Sequence, residues 1–332
     1  MTNFNKETTA KFLIFFIFII SFIFLSYLNF SFNNIIIKKN SYLLIKVKSG
    51  DSVGKTIRQL RENGYINSEL RFKILAYLYD YNPIFKNGTY RVKKGDTEYS
   101  LLRKLIDGKV IQEQITIIEG STYSDIKQTL LNNSKIDSSE FDKKYEEIYI
   151  SRLDYESLEG LCFPDTYKFA EGITYEDFIS ACISKMNKIL STYWTERDFS
   201  LPYKTKYEML IMASIIEKET SKSSEKPLVA SVFVNRLNKN MRLQADPTVI
   251  YGMKNFQGNI TKKDLNAKNE YNTYKINGLP KTPICSPSES SIKAASKPSI
   301  SKYLYFVSNN KGEHIFSETY DEHLKAVNKY QK

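Results

Sequence analysis

The stretch Lys206–Thr220, KYEMLIMASIIEKET, restricts the fold of this chain more than any other. Helical spacing leaves Met209, Leu210, Met212, Ala213, Ile215 and Ile216 distributed nearly all round it. A helix apolar on every side must be surrounded, so the chain needs a core thick enough to enclose one. Two glutamates close the stretch, Glu217 and Glu219, pointing roughly 160° apart at 3.6 residues per turn. Glu219 shares a polar edge with Glu208. Glu217 lies above Leu210 and beside Ala213, on the apolar side. A carboxylate aimed that way loses hydration, which predicts a raised pKa. A raised carboxyl pKa is what a general acid needs at neutral pH. The plain alternative is a solvated helix edge or a cap partner. Favouring the chemical reading is the polar run that follows: Asn235, Arg236, Arg242, Gln244, Asp246, Thr248 and Tyr251. Amides, hydroxyls and aromatics in such density suit carbohydrate better than a packed core.

The chain has 332 residues and a formal net charge of +11, enough for about two domains and an appendage. A basic balance points to nucleic acid, a membrane surface or an anionic polymer such as a cell wall. No RNA-module signature, zinc-finger spacing or dense Lys/Arg block supports nucleic acid. Phe12–Leu28 is apolar apart from two serines, and extension to Phe32 adds only Asn29 and Ser31 as polar residues. No small-x-small cleavage site follows, so an uncleaved membrane anchor is expected over residues 12–32. Lys6 and Lys11 precede it, but Lys38, Lys39, Lys46 and Lys48 follow it. Charge alone therefore does not favour export of what comes after. Three cysteines, Cys162, Cys182 and Cys285, allow at most one disulfide and show no metal spacing. His314 and His323 do not make a zinc site. No G-x-S-x-G elbow is present. Neither a metal nor a cofactor is expected.

One local plan occurs three times: IKVKSGDSVGKTIRQL, YRVKKGDTEYSLLRKL and ITIIEGSTYSDIKQTL. Each reads as a short strand, a glycine turn, an N-cap and a helix. Gly50, Gly95 and Gly120 are each followed at the same offset by Leu60, Leu105 and Leu130, and preceded by Val47, Val92 and Ile117. Uneven spacing between the units argues against a solenoid. The first two resemble the LysM-like module of exported cell-wall proteins, through the V-x-x-G-[DS] turn and the downstream leucine. Beyond them, Asn132–Tyr149 is polar helix and loop. Tyr175–Leu190 and Leu228–Leu237 read as amphipathic helices. Gln244–Ser286 reads as a long, non-periodic, binding-type loop region. Ser288–Ser296 is a short capped helix. Lys302–Ser308 and Gly312–Phe316 form a hairpin, and a helix carrying His323 ends the chain.

The segments LEGLCFPDTYKF, ASIIEKET, VFVNRL, MRLQADPTVIYG, YNTYKINGLPKTPICSPS, YLYFVS and HIFSETYDEH keep one order over residues 158–323. Together they resemble the YceG-like endolytic murein transglycosylases. The resemblance implies a bitopic protein of the bacterial inner membrane whose catalytic part lies outside the cytoplasm. It implies cleavage of the β-1,4 bond between N-acetylmuramic acid and N-acetylglucosamine in nascent glycan strands. The product would carry a 1,6-anhydro end, terminating polymerisation beside peptidoglycan synthases. It further implies that the first glutamate of the A-S-I-[IV]-E-K-E motif, here Glu217, is the single general acid/base. Expected substrate-binding groups are Glu159, Tyr167, Gln244, Asp246, Thr248, Tyr251, Asn272 and Tyr274. The family's closing E-H-N reads Glu322-His323-Leu324 here, which removes an amide. The expected fold is α+β, with boundaries at 1–11 (cytoplasmic), 12–32 (transmembrane), 33–110 (LysM-like module) and 111–332 (catalytic domain). Two alternatives are a hydrolytic muramidase, with Asp246 or Glu159 as second carboxylate, and a non-catalytic peptidoglycan-binding scaffold.

Overall fold

The computed structural model describes residues 2–32, 36, 42–48, 50–138, 146–147, 150–151 and 155–331. The chain is a mixed α+β protein. Helix α1, Thr2–Phe32, takes in the apolar N-terminal run, and its apolar side chains from Phe12 to Phe24 are exposed. Among the described residues no helix is long and apolar enough to cross a membrane. The structure does not show the spanning anchor expected over residues 12–32. Lys38 and Lys39, and most of the polar stretch after Ser138, lie outside the described residues.

Two compact units divide the chain: Met1–Glu113 with Lys168–Ile173, and Gln114–Tyr167 with Thr174–Lys332. In the first, β1 (Tyr42–Val47) leads to α2 (Val53–Glu62), α3 (Glu69–Tyr79), β2 (Gly88–Lys93) and α4 (Glu98–Asp107). Strands β1 and β2 pair antiparallel, Tyr42 opposite Lys93 and Val47 opposite Gly88. The glycine turns form as their sequence demands. Gly50 and Gly95 take φ values of +79° and +91°, which glycine reaches without a Cβ penalty. Ser52 and Thr97 then cap α2 and α4, accepting the backbone N–H of Lys55 and Ser100 at 3.2 Å. Leu60 and Leu105 seal the core beside Phe72, Tyr90 and Val92. Each such buried leucine contributes about 1.5–3 kcal/mol.

The third copy of the plan spans β3 (Gln112–Thr116), Gly120 and α5 (Tyr123–Leu131). Gly120 has φ +76°, Thr122 caps α5 on Asp125, and Leu130 is fully buried. Short strands β4 (Ile136–Asp137), β5 (Thr166–Ala170) and β6 (Ile173–Thr174) follow, then α6 (Tyr175–Thr195). Strand β3 pairs with β5, and β4 with β6. The all-round apolar stretch is α7, Lys206–Glu219, capped by Thr205 and buried without interruption from Met209 to Ile216. It packs against α6, α8 (Lys226–Asn238), α9 (Asp246–Tyr251) and α11 (Glu289–Ser296). A short α10 (Lys262–Asn266) lies in the region read as loop. It and α9 arise from local start signals: Pro247 in the first turn of α9 and a Thr261–Asp264 capping box for α10. Strands β7 (Tyr305–Ser308) and β8 (His314–Ser317) form the expected hairpin, and α12 (Tyr320–Tyr330) closes the chain. A disulfide joins Cys162 to Cys182, and Cys285 is a buried thiol.

Candidate active site at the end of α7

The last turn of α7 carries both glutamates, and both line a cavity of about 430 Å³ with Ile118, Gly120 and Thr220. Their surroundings are opposite. Four donors converge on Glu217 Oε2. Lys226 Nζ stands at 3.0 Å, Ser288 N at 2.9 Å, Ser288 Oγ at 2.5 Å and Ser291 Oγ at 2.6 Å. Lys226 is itself buried and also donates to Ser288 and Ser290 at 2.9 and 3.0 Å. Ser288 is the N-cap of α11, so the carboxylate also faces the positive end of that helix. Burial pushes the Glu217 carboxyl up. The bonds from Ser288 and Ser291 and the Lys226 charge outweigh this and leave it below its ordinary value. The raised pKa expected for Glu217 is thus reversed. The periodicity of α7 reports only its own residues, whereas the donors come from α8 and α11.

Glu219 has the raised pKa instead. Burial pushes its carboxyl up to about 8, the negative charge of Asp246 adds to the rise, and Arg236 opposes it. Among the described residues its carboxylate accepts no hydrogen bond and forms no ion pair. The sequence placed it on a polar edge with Glu208; segments arriving from α8 and α9 enclose that edge. Arg236 belongs to α8 and is fixed by carbonyls rather than by a carboxylate. Its Nε donates to Leu304 O at 2.7 Å and its Nη1 to Leu243 O at 2.7 Å, and Tyr305 lies under it at 5.2 Å. Its charge is therefore available to a neighbour. Thr220, the C-cap of α7, donates to Glu225 at 3.5 Å, and Glu225 pairs with His314 Nδ1 at 2.8 Å. That chain of contacts fixes the backbone beyond Glu219.

Of the expected substrate-binding residues, three gather here. Asp246 is exposed and accepts Tyr274 OH at 2.6 Å. Gln244 reaches Arg236 at 3.4 Å from a backbone with φ +50°, a conformation costly for a side-chain-bearing residue. The other five lie elsewhere. Thr248 and Asn272 are buried struts. Thr248 bonds Thr273 at 2.8 Å, and Asn272 Nδ2 donates to the carbonyls of Asp264, Leu265 and Ala267. Tyr167 donates to Phe163 O at 2.6 Å and packs edge-on against Phe178. Buried Glu159 and half-buried Tyr251 form a separate pair at 2.9 Å. Glu159 also accepts Tyr123 N and Gly160 N, and burial raises its carboxyl to about 7. Gly160 is required there, since a Cβ would come within 2.5 Å of Pro283. Among the described residues no group of three His, Cys, Asp or Glu side chains could hold a metal. Sequence reasoning missed Lys226 and the α11 serines. The available signal was SPSESS, a serine-rich helix start with donors to spare.

The model of the YceG-like family matches residues 45–329. The chain is 34% identical over 307 residues to the endolytic murein transglycosylase of Bacillus subtilis (strain 168), covering 86% of this chain and 84% of that one. It is 29% identical over 322 residues to the endolytic murein transglycosylase of Streptococcus pneumoniae serotype 2 (strain D39 / NCTC 7466), covering 86% of this chain and 58% of that longer one. A solved structure of a YceG-like protein from Listeria monocytogenes is similar with a TM-score of 0.55 at 29% identity, over 86% of this chain and 98% of that one. With the match running almost from the first strand to the end, the chain belongs to the YceG-like family.

Proposed function

We propose that this protein is an endolytic murein transglycosylase and that Glu219, rather than Glu217, is its general acid/base. The supporting observation is the unpartnered, proton-retaining Glu219 carboxyl on the cavity wall, under the opposing charges of Asp246 and Arg236. Glu219 protonates the glycosidic oxygen as the bond from C1 of N-acetylmuramic acid breaks. Positive charge growing on C1 and the ring oxygen is offset by the Asp246 carboxylate. Arg236 steadies the new Glu219 carboxylate. That carboxylate then removes the C6 hydroxyl proton as O6 bonds to C1, giving the 1,6-anhydro end and returning the proton to Glu219. No water enters, so one acid/base suffices where hydrolysis uses two carboxyl groups. Residues 12–32 anchor the protein in the membrane with the catalytic unit outside, residues 33–110 contact the wall as a LysM-like module, and synthases are its neighbours.

The test is mass spectrometry of uncrosslinked glycan strands after incubation with the full chain in detergent, beside Glu219→Gln and Glu217→Gln. Internal fragments with anhydro ends from the wild type and Glu217→Gln, and none from Glu219→Gln, are expected. Loss in a folded Glu217→Gln with activity kept in Glu219→Gln would return the role to Glu217. Reducing ends would favour the hydrolytic muramidase, for which Asp246 beside Glu219 supplies a second carboxylate. A wild type that binds strands without cutting them would favour the scaffold.

A further inference from the structure

A second cavity, of about 710 Å³, opens at the other end of α7, a size typical of ligand sites. Three chain segments contribute both to its wall and to the Glu219 site, and Tyr155 and Glu156 add a fourth side to the wall. Helix α7 contributes Glu208 and Ile211 here and Glu219 there. Glu208 and Glu219 lie within roughly 20° of one face and about 16 Å apart along the axis. The end of α8 and its following loop give Leu237, Asn240 and Met241 to the cavity; the same run gives Arg236, Gln244 and Asp246 to the site. The third segment carries Tyr274 at the site and Asn277 to Lys281 at the cavity. Exposed Arg242 joins the second and third segments midway, donating to Tyr274 O at 3.0 Å and Asn277 Oδ1 at 3.3 Å.

We infer that this cavity is a distal binding site for the same polysaccharide strand, holding sugars some way along from the bond that Glu219 cleaves. This rests on the transglycosylase reading. Its wall is chemically suited to sugar. The Tyr155 and Tyr207 rings stack at 4.8 Å and 22°, so the aromatic surface is held rigid from behind, ready for the C–H face of a pyranose. Asn240 and Asn277 supply amides for hydroxyls. The charges on the wall balance, Lys204 and Lys281 against Glu156 and Glu208, and Lys281 is paired with Glu156 at 3.1 Å and with Glu270 at 3.6 Å. A neutral, hydroxyl-rich ligand fits such a wall better than an ion. A contact at fixed distance from the cut, made by the uncleaved strand, sets fragment length.

The experiment compares the full-length wild type with Tyr155→Ala, which removes the platform, and Asn277→Trp, which fills the cavity. Two substrates are used: long uncrosslinked strands and a tetrasaccharide too short to reach both places. KM for long strands should rise about tenfold and the fragment-length distribution should shift, while tetrasaccharide cleavage stays within twofold. Thermal unfolding confirms that each variant is folded. Unchanged KM and lengths in both variants, or equal loss on both substrates, would overturn the inference. If the wild type cuts nothing, the transglycosylase reading fails on its own. Equilibrium binding of the strands to wild type and Tyr155→Ala then decides the cavity: weaker binding by the variant supports it, and equal binding overturns it.

Discussion

Glu217 and Glu219 stand two residues apart on one helix, and both lose hydration, yet they end with opposite proton affinities. On the Glu217 side, α8 and α11 bring an ammonium group, two hydroxyls and a backbone N–H onto one oxygen. On the Glu219 side, the neighbours bring charge of both signs and, among the described residues, no hydrogen-bond donor. Burial alone therefore does not raise a carboxyl's proton affinity; burial without donors does. Glu217 acts as a clamp that ties three helix ends together, and the Glu219 carboxyl stands at the edge of that clamp.

The comparison can be broken most severely at Glu219. Glu219→Gln should lower turnover by about 10²–10⁴, the usual weight of general acid–base catalysis, with the fold intact by circular dichroism. Glu217→Gln should keep most of the turnover of whatever fraction folds. Second is Lys226→Met, which leaves a buried carboxylate without its cation and should cost about 3–5 kcal/mol in urea unfolding. Adding Glu217→Gln to it should recover a good part. Ser291→Ala removes one charge-assisted bond and should cost about 1.5–3 kcal/mol by the same measurement.

The pH dependence sharpens the contrast with smaller effects. Folded Glu219 keeps its proton to about pH 8, well above the ordinary carboxyl value of 4.5. The stability this gives is complete below the unfolded value and is lost as pH rises through about 8. Glu217 is held below its ordinary value, so its contribution is present at neutral pH and is lost as pH falls into the acid range. The melting temperature of Glu219→Gln relative to wild type should therefore climb from about pH 5 to about pH 8.5, while that of Glu217→Gln should not. Asp246→Asn should lower the Glu219 pKa and move the alkaline limb of the pH–rate profile to lower pH.

Local features were legible in the sequence because their causes are local. The three glycine turns and their caps at Ser52, Thr97 and Thr122 form as read, as do α7 and the closing hairpin. Nearby proline and capping-box signals also account for α9 and α10, which the loop reading passed over. What could not be read was which side of α7 each distant segment would cover. Ser288 and Ser291 come from more than seventy residues away in sequence, and no periodicity within α7 encodes their arrival. The same limit explains Thr248 and Asn272. Their polar groups look suited to a ligand in sequence, but they are consumed by carbonyls and hydroxyls of their own loop.

The third strand–turn–helix unit carries a lesson about interchangeable parts. Gly50 and Gly95 turn in open space, where an added Cβ would meet nothing within 4 Å. At Gly120 the same turn is wired in: its carbonyl receives Lys218 at 3.3 Å, and its N–H is given to Ser286 at 2.8 Å. Those contacts attach it to the residue between the two glutamates and to the strand of loop leading into α11. Copies that are synonyms in sequence are therefore not spare parts for one another. A graft of the first or second unit into the third position would preserve strand, turn and cap, yet would redraw the rim of the cavity that both glutamates line.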